Sequence, residues 1–260
     1  MKKILIIPDR KNMEETIDLA KNYSLGFEYN DFFAPEILDN ESQVQEICRT
    51  YQMKQLPGFC TMHGAFLDVI PCSPDKKIRE IASLRIEQSL KIARKIGVTA
   101  VVFHTNYNPF LNSEDYKENW IKQTVSFWSS VMEKYPDINI YLENMFDFSP
   151  DMLEKISEQL CRYENYGVCL DYSHAVLSKT EPNVWAERLG KYIKHIHIND
   201  NDLVSDLHLA WGDGKIDRQI FYSCYDKYMQ GASVLIETSS LRNKQKSLEV
   251  LTEDGFLQNV

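Results

Sequence analysis

The sequence of 260 residues lacks any long apolar run and any excess of basic charge. No stretch approaches the roughly 18 consecutive apolar residues that a membrane-spanning helix needs. The apolar run that follows Lys2 and Lys3 ends at Ile7, which is too short for the core of a signal peptide. Basic residues number 29 and acidic residues 38, so the formal net charge is −9. This balance disfavours broad electrostatic capture of nucleic acid or of an anionic membrane.

Paired cysteines and glycine-rich phosphate loops are also missing. The six cysteines form no CxxC pair, and Cys60 and Cys169 lie inside apolar, strand-like runs. A free cysteine in such a run behaves as a small buried hydrophobe, so we expect reduced thiols and a cytoplasmic location. The sequence contains no GxGxxG, Walker or GxSxG motif, and Ile7 is followed by Pro-Asp-Arg-Lys. The absence of a glycine-rich turn there disfavours the main alternative fold, an open doubly wound sheet.

The sequence does contain a repeated alternation of strand-like and helix-like segments. Eight short β-rich runs recur, at Lys3–Ile7, Leu25–Tyr29, Phe59–His63, Thr99–His104, Ile138–Glu143, Tyr166–Asp171, Lys194–Ile198 and Ser233–Glu237. Helical spacing separates them, clearest in the apolar series Ile78, Ala82, Ile86, Ser89, Ala93 and Ile96. Gly97 follows this series, as a helix-ending glycine does. The pattern predicts an α/β fold in which residues 1–260 form one domain, a single (β/α)₈ TIM barrel with a closed parallel sheet.

Ionisable side chains stand where the predicted strands end, which is where the active site of such a barrel lies. They are His63, His104, Glu143, Asp171, His174, His197, Asp206, His208 and Glu237. Taken singly, each is as readily a helix cap or a satisfied core residue. Taken together, they would be costly to bury without a binding partner, and carboxylates with neutral imidazoles are ligands for divalent metal ions. We therefore expect a metal centre whose core is Glu143, Asp171, His197 and Glu237.

Other residues near the strand ends have less specific roles. Glu28 ends the second run, and we expect it to contact substrate rather than metal. Four aromatic residues follow strand ends and either wall the pocket or pack in the core: Phe66, Tyr107, Phe146 and Trp211. His195 shares a strand face with His197 one layer lower, so we expect a hydrogen-bonded interior residue. The basic run at 242–246 is expected to be a solvated helix end.

Several short motifs occur in a fixed order along the whole chain. They are His63–Asp68, Val101–His104, Leu142–Asn144, Cys169–His174, His195–Asp202, Asp206–His208, Gly212–Asp217 and Ile236–Glu237. This ordered set resembles the xylose isomerase-like barrel superfamily, which includes sugar-phosphate isomerases and epimerases and the endonuclease IV class of apurinic-site nucleases.

The resemblance implies specific ligand sets. In the epimerase relatives, one metal ion is held by the residues that match Glu143, Asp171, His197 and Glu237. In the nuclease relatives, three zinc ions are held. The residues matching His63, His104 and Glu143 hold the first, the epimerase set holds the second, and the third is held by the residues matching His174, Asp206 and His208.

Two activities are the principal hypotheses that follow. The first is an isomerase or epimerase of a small sugar or sugar phosphate that uses one to three divalent ions, zinc or manganese. Glu143 and Glu237 would move the proton beside the carbonyl. The second is an endonuclease IV-like phosphodiesterase acting on abasic DNA, which the complete nine-residue ligand set favours. A non-catalytic, metal-dependent sugar-binding barrel and lyase or dehydratase chemistry on sugars are the further alternatives.

Charge separates the two principal hypotheses. The formal charge stays negative even if three divalent cations bind. The segment 199–206 is acidic and contains no lysine or arginine. Because DNA binding relies on basic side chains that contact phosphates, we expect a small sugar as the partner rather than nucleic acid.

Overall fold

The structure, a computed structural model, describes residues 2–54, 57–66 and 68–257, so Leu67 of the first motif lies outside the described residues. Eight parallel strands pair in chain order, and the first also pairs with the last, which closes the sheet. The strands are β1 Ile4–Ile6, β2 Gly26–Tyr29, β3 Cys60–His63, β4 Ala100–His104, β5 Asn139–Glu143, β6 Tyr166–Asp171, β7 Ile193–Ile198 and β8 Ser233–Ile236. Each begins and ends within one residue of its predicted run. The predicted (β/α)₈ barrel is confirmed.

Helices follow the strands and cover the barrel. They are a 3₁₀ turn at Arg10–Asn12 and α1 Met13–Tyr23, α2 Pro35–Leu38, α3 Glu41–Gln52, α4 Lys76–Ile96, α5 Glu114–Lys134, α6 Asp151–Leu160, α7 Tyr172–Leu177, α8 Pro182–Leu189, α9 Arg218–Tyr228 and α10 Leu241–Glu253. The predicted helix before Gly97 is α4, and Gly97 has the left-handed backbone (φ 85°) expected of a terminating glycine. Ile78 is exposed, so the buried face of α4 begins at Ala82. Within the described ranges, no helix combines the length and apolarity needed to cross a membrane.

The barrel register places the candidate ligands at the same level. His104 pairs with Glu143 across β4 and β5, and Asp171 pairs with His197 across β6 and β7. Side chains two residues apart on a strand share one face. These residues therefore lie at the carboxyl-terminal end of the barrel, one layer above the side chains that fill its interior. All six cysteines are free thiols, and Cys169 is buried in that interior.

Lys244 corrects the expectation that the basic run at 242–246 is a solvated helix end. The residue lies in the first turn of α10 and is completely buried. Its ammonium donates a hydrogen bond to the carbonyl oxygen of Ser239 at 2.7 Å. Burial lowers the pKa of Lys244 to about 8. The lysine therefore ties α10 to the loop that follows β8.

Gly26 permits β2 to approach the segment before β3. A Cβ atom at this position would lie 2.5 Å from the carbonyl oxygen of Phe59. We expect Gly26→Ala to lower the free energy of unfolding in urea by about 1–3 kcal/mol, because backbone must move to relieve the overlap. Gly58→Ala is the matched control, since no atom of the described residues lies within 4 Å of its added methyl group. Equal stabilities of the two variants would contradict this close approach.

Lys244 should make stability depend on alkaline pH. Its pKa is lowered on folding from 10.5 to about 8, so the folded state binds fewer protons than the unfolded state between these values. The free energy of unfolding of the wild type, minus that of Lys244→Met, should therefore rise by up to about 3 kcal/mol between pH 7 and pH 10.5. Urea titrations of both proteins across this range measure the difference. A flat difference would show that Lys244 is solvated in the folded protein.

Candidate metal centre

Three residues meet at the carboxyl ends of β5, β6 and β7. One potential ligand atom from each of Glu143, Asp171 and His197 lies within 4.8 Å of the other two. Glu237 directly follows β8 and brings its Oε2 to 3.6 Å from Nδ1 of His197. Glu143 Oε1 lies 3.4 Å from the same nitrogen. The four residues predicted as the core of a metal centre thus surround one point, which we call the central cluster.

Each member of the central cluster carries a buried polar atom without a hydrogen-bond partner. These atoms are Glu143 Oε2, Asp171 Oδ2, His197 Nδ1 and Glu237 Oε2. A buried polar atom left unsatisfied costs about 1–3 kcal/mol, and more when it is charged. Carboxylate oxygens and an imidazole nitrogen form a donor set suited to zinc or manganese. The central cluster therefore fits a divalent cation.

Burial makes the carboxylates of the central cluster hard to ionise together. It raises the pKa of Glu237 to about 7, and it raises the pKa of Asp171 as well. For Glu143 burial acts in the same direction, but the imidazoles of His197 and His104 outweigh it, and the pKa of Glu143 lies well below its ordinary value. Without a cation, the pKa values of Asp171 and Glu237 are therefore raised while that of the neighbouring Glu143 is lowered.

Glu28 lies beneath the central cluster and not in the pocket wall where we expected it. Its Oε2 accepts hydrogen bonds from Thr61 Oγ1 at 2.6 Å and from His195 Nε2 at 3.0 Å, and its Oε1 lies 3.1 Å from Nε2 of His197. His195 also contacts Ser233 Oγ at 2.7 Å, which makes it the hydrogen-bonded interior residue that we expected. Glu28 is completely buried, and its Oε1 places negative charge beside Nε2 of His197. Burial favours a higher pKa for Glu28, but the two imidazoles outweigh it and lower that pKa.

A second cluster adjoins the first through Glu143. Its Oε2 lies 3.3 Å from Nε2 of His63 and 3.6 Å from Nε2 of His104. Ligand atoms of the three residues lie within 4.8 Å of one another. Burial lowers the pKa of His104 to about 3, so this imidazole is neutral at physiological pH, as a metal ligand must be.

A third cluster, His174, Asp206 and His208, is already internally bonded. Asp206 Oδ2 lies 3.3 Å from Nε2 of His174 and 3.0 Å from Nε2 of His208. The other ring nitrogens contact backbone carbonyl oxygens, His174 at Asn144 (3.0 Å) and His208 at Glu237 (3.1 Å). The hydrogen bond to Asp206 raises the pKa of His208 to about 9. The third cluster therefore satisfies its own polar atoms, in contrast to the central cluster.

Three of the four predicted wall residues lie near these clusters. The ring of Phe66 packs against both imidazoles of the second cluster, and Tyr107 and Phe146 line a cavity beside the third. Trp211 does not, because it is completely buried in the core, where its indole N–H donates a hydrogen bond to the hydroxyl of Tyr222 at 3.1 Å. For Trp211 the core-packing alternative is thus the correct one.

A family model described as "Xylose isomerase-like TIM barrel" matches residues 17–253. The chain belongs to this family. Among curated relatives, it is 29% identical to the uncharacterized protein MJ1311 of Methanocaldococcus jannaschii over 206 residues, which are 74% of this chain and 68% of that protein. It is 21% identical to fructoselysine 3-epimerase of Shigella flexneri over 225 residues, which are 78% of this chain and 75% of that enzyme.

Solved structures match the fold over nearly the whole chain. A D-tagatose 3-epimerase-like protein is similar with a TM-score of 0.77 and 22% identity, over 97% of this chain and 96% of that one. The TTHB071 protein from Thermus thermophilus, solved after soaking with ZnCl2, is similar with a TM-score of 0.76 and 22% identity, over 97% of both chains. At these identities the likeness establishes the shared barrel.

The sequence did not predict the structural role of two residues, Asn144 and Asp200, that fix the loops at the strand ends. The side chain of Asn144 donates to the carbonyl oxygen of Asp171 and accepts from its N–H, both at 2.9 Å. This pair fixes the end of β6 beside the end of β5. Asp200 organises the loop after β7 by accepting hydrogen bonds from the backbone N–H groups of Asn201, Gly212 and Ile216. The available signal was the position of each residue directly after a strand-end motif.

Removing the charge of Glu28 should weaken metal binding without removing a ligand. We expect Glu28→Gln to lower zinc affinity about 10- to 100-fold, because groups that orient a ligating histidine contribute on this scale. Competition with a chromophoric chelator measures the affinity. Glu36→Gln is the control, because Glu36 is exposed on α2 and belongs to none of the three clusters. Unchanged affinity in Glu28→Gln would show that the interior network does not support the centre.

Proposed function

We propose that this member of the xylose isomerase-like family is a metal-dependent isomerase or epimerase of a small sugar or sugar phosphate. The names of its relatives, fructoselysine 3-epimerase and a D-tagatose 3-epimerase-like protein, support the reaction class. The observation that carries the proposal is the central cluster itself. Two carboxylates, from Glu143 and Glu237, approach the same nitrogen of His197 from strands that are three positions apart in the barrel.

The central cluster would hold the catalytic ion through Glu143, Asp171, His197 and Glu237. When bound, a divalent cation supplies Lewis-acid polarisation of the substrate oxygens beside the reacting carbon. The zinc-soaked structure of a protein with the same fold supports zinc as one candidate, and manganese suits the same oxygen-rich donor set.

The chain's own residues would move the proton. Glu143 ends β5 and Glu237 follows β8, so their carboxylates would face a substrate at the centre from different sides. One carboxylate oxygen accepts the proton from the carbon beside the carbonyl, and the other carboxyl group returns a proton to the opposite face or to the neighbouring carbon. His197 is held by Glu28 from below, which keeps this arrangement fixed during the transfer.

A cavity of about 780 Å³ gives substrate access to Glu237. Polar groups from the β1 and β2 loops line it, among them Arg10, Asn30 and Asp31. Thr238 Oγ1 and Asn30 Oδ1 are buried there without hydrogen-bond partners. Such a mixture of donors and acceptors suits the hydroxyl groups of a sugar.

The second candidate is the abasic-site phosphodiesterase, and the observation that supports it is that the residues within each of the three predicted ligand sets lie close to one another. Acidity opposes it, because three of the residues lining the mouth beside the third cluster are aspartates: Asp68, Asp147 and Asp206. Phosphate contacts on DNA require lysine or arginine. We therefore rank this function below sugar chemistry.

Proton exchange tests the proposed function directly. We expect the zinc- or manganese-loaded protein to exchange a substrate C–H proton with deuterated water when it is given a panel of ketoses, aldoses and their phosphates. Glu237→Gln and Glu143→Ala should each lower the exchange rate at least 100-fold, because each removes a group that transfers the proton. Glu36→Gln should leave the rate unchanged.

The same preparations should be incubated with an abasic-site duplex. Chelator-sensitive incision of the duplex that is lost in Glu143→Ala, together with no exchange on any sugar, would reverse the ranking. Salt gives a further distinction, since DNA affinity falls steeply with salt whereas the Michaelis constant for a neutral sugar does not. A sugar-dependent rise in melting temperature without exchange would favour the non-catalytic sugar-binding barrel.

A further inference from the structure

A second cavity, of about 670 Å³, opens on the other flank of the third cluster, and we call it the aromatic cavity. It reaches His174 and Asp206 and is walled by the loops that follow β4 and β5. The cavity of about 780 Å³ described above, which we call the polar cavity, reaches His208 and Glu237. Because Asp206 contacts both His174 and His208, the two cavities adjoin at this residue.

The aromatic cavity presents apolar rings to solvent. Its lining includes Tyr107, Phe110, Phe146 and Phe148. Phe110 is 79% exposed and Phe146 is 59% exposed, and the edge of the Phe110 ring packs on Phe148. Exposed apolar rings grouped around one concave surface are typical of a ligand site, whereas single exposed apolar residues are ordinary. The wall therefore offers a binding surface for an apolar group.

The charge of the aromatic cavity restricts what can enter. Among the described residues that line it, the acids are Asp68, Asp147 and Asp206, and there is no lysine or arginine. The ammonium of Lys179 lies 3.8 Å from the centroid of the Phe148 ring, and Lys179 is not among the residues that line the cavity. Among the described lining residues the acids outnumber the single imidazole, His174, which is already paired with Asp206, so an anionic group would meet an excess of negative charge. A neutral or cationic group would not be repelled by it.

Asp147 supplies an acceptor that no group of the described residues uses. The residue is 4% exposed and lines the cavity. Its Oδ2 accepts hydrogen bonds from Thr105 Oγ1 at 3.0 Å and from the N–H of Met145 at 3.2 Å, whereas its Oδ1 is buried and without a partner. Buried acceptors are nearly always satisfied in native proteins, so the free oxygen indicates a donor on the ligand.

We propose that the aromatic cavity binds an apolar, neutral or cationic substituent of the sugar substrate, an aryl or alkyl group that carries an O–H or N–H donor for Asp147. The inference rests on the proposed function, since the sugar itself would occupy the centre and the polar cavity. It restricts the substrate class to sugars that bear such a substituent and excludes those that carry a phosphate or carboxylate at this end.

Small aromatic probes test the cavity independently of any sugar. We expect benzyl alcohol and benzylamine to bind the zinc-loaded protein at least tenfold more tightly than benzoate, as measured by ligand-observed NMR titration. Phe110→Ser and Phe146→Ser should each weaken binding of both probes at least fivefold. Leu84→Ser is the matched control, since Leu84 is 52% exposed on α4 and lies outside the cavity. Equal binding of benzoate, or unchanged binding in both phenylalanine variants, would overturn the proposal.

Asp147→Asn separates the charge of Asp147 from the apolar contact. The amide keeps the shape and an acceptor oxygen but loses the negative charge. We expect the wild type to bind benzylamine more tightly than benzyl alcohol, and Asp147→Asn to remove most of this preference while leaving the affinity for benzyl alcohol within about threefold. An unchanged preference for the amine would contradict the role of Asp147.

Proton exchange on matched sugars completes the test. Sugars bearing phenyl or aminoalkyl substituents should exchange with a kcat/KM at least tenfold above the unsubstituted sugar, and Phe146→Ser should remove that advantage. Exchange on unsubstituted sugars with no gain from any substituent would overturn this inference and leave the proposed function standing. Probe binding with the expected pattern but no exchange on any sugar would overturn the proposed function, and with it the sugar part of this proposal.

Discussion

Repulsion among buried carboxylates at the strand ends is the interaction on which the rest of the site depends. Glu143, Asp171 and Glu237 each hold a buried oxygen without a partner around one imidazole. Two like charges 4 Å apart repel by about 4 kcal/mol at an effective dielectric constant of 20, and each buried charge also loses its hydration. Closure of the eight strands fixes their positions, so the groups cannot move apart. Only a proton or a bound cation can relieve the repulsion.

The surrounding polar groups keep this costly arrangement in place. Glu28 reaches across the barrel interior and holds both histidines of β7, and Asn144 locks the end of β5 to the end of β6. Lys244 secures the backbone two residues beyond Glu237. Asn144 and Lys244 bond protein atoms, and Glu28 bonds Thr61 and His195 through its Oε2. These hydrogen bonds contribute stability that the central cluster lacks.

The strands could be predicted from sequence to within one residue because their apolar, β-rich character is local. The candidate site followed, since a parallel barrel sends every strand end to one rim. The positions of three residues could not be predicted, because they depend on contacts between segments that are distant in the sequence. Glu28 points across the interior toward β7, and Trp211 lies on a loop that folds back through the pairing of Asp200 with Leu209. Lys244 lies on the face of α10 that contacts the loop after β8. Its buried position could not be predicted, because its neighbours in the sequence are charged or polar.

The contrast between the central and third clusters disfavours an ion in the third cluster. An ion in the central cluster would satisfy the unpartnered atoms of Glu143, Asp171, His197 and Glu237 without displacing any hydrogen bond they make. An ion in the third cluster would have to replace the contacts that Asp206 makes with two imidazoles. The same nine side chains therefore differ in their demand for metal. Proton transfer on a sugar requires an ion only in the central cluster. Phosphodiester cleavage by clustered metals would also require an ion in the third cluster, whose polar atoms already bond one another.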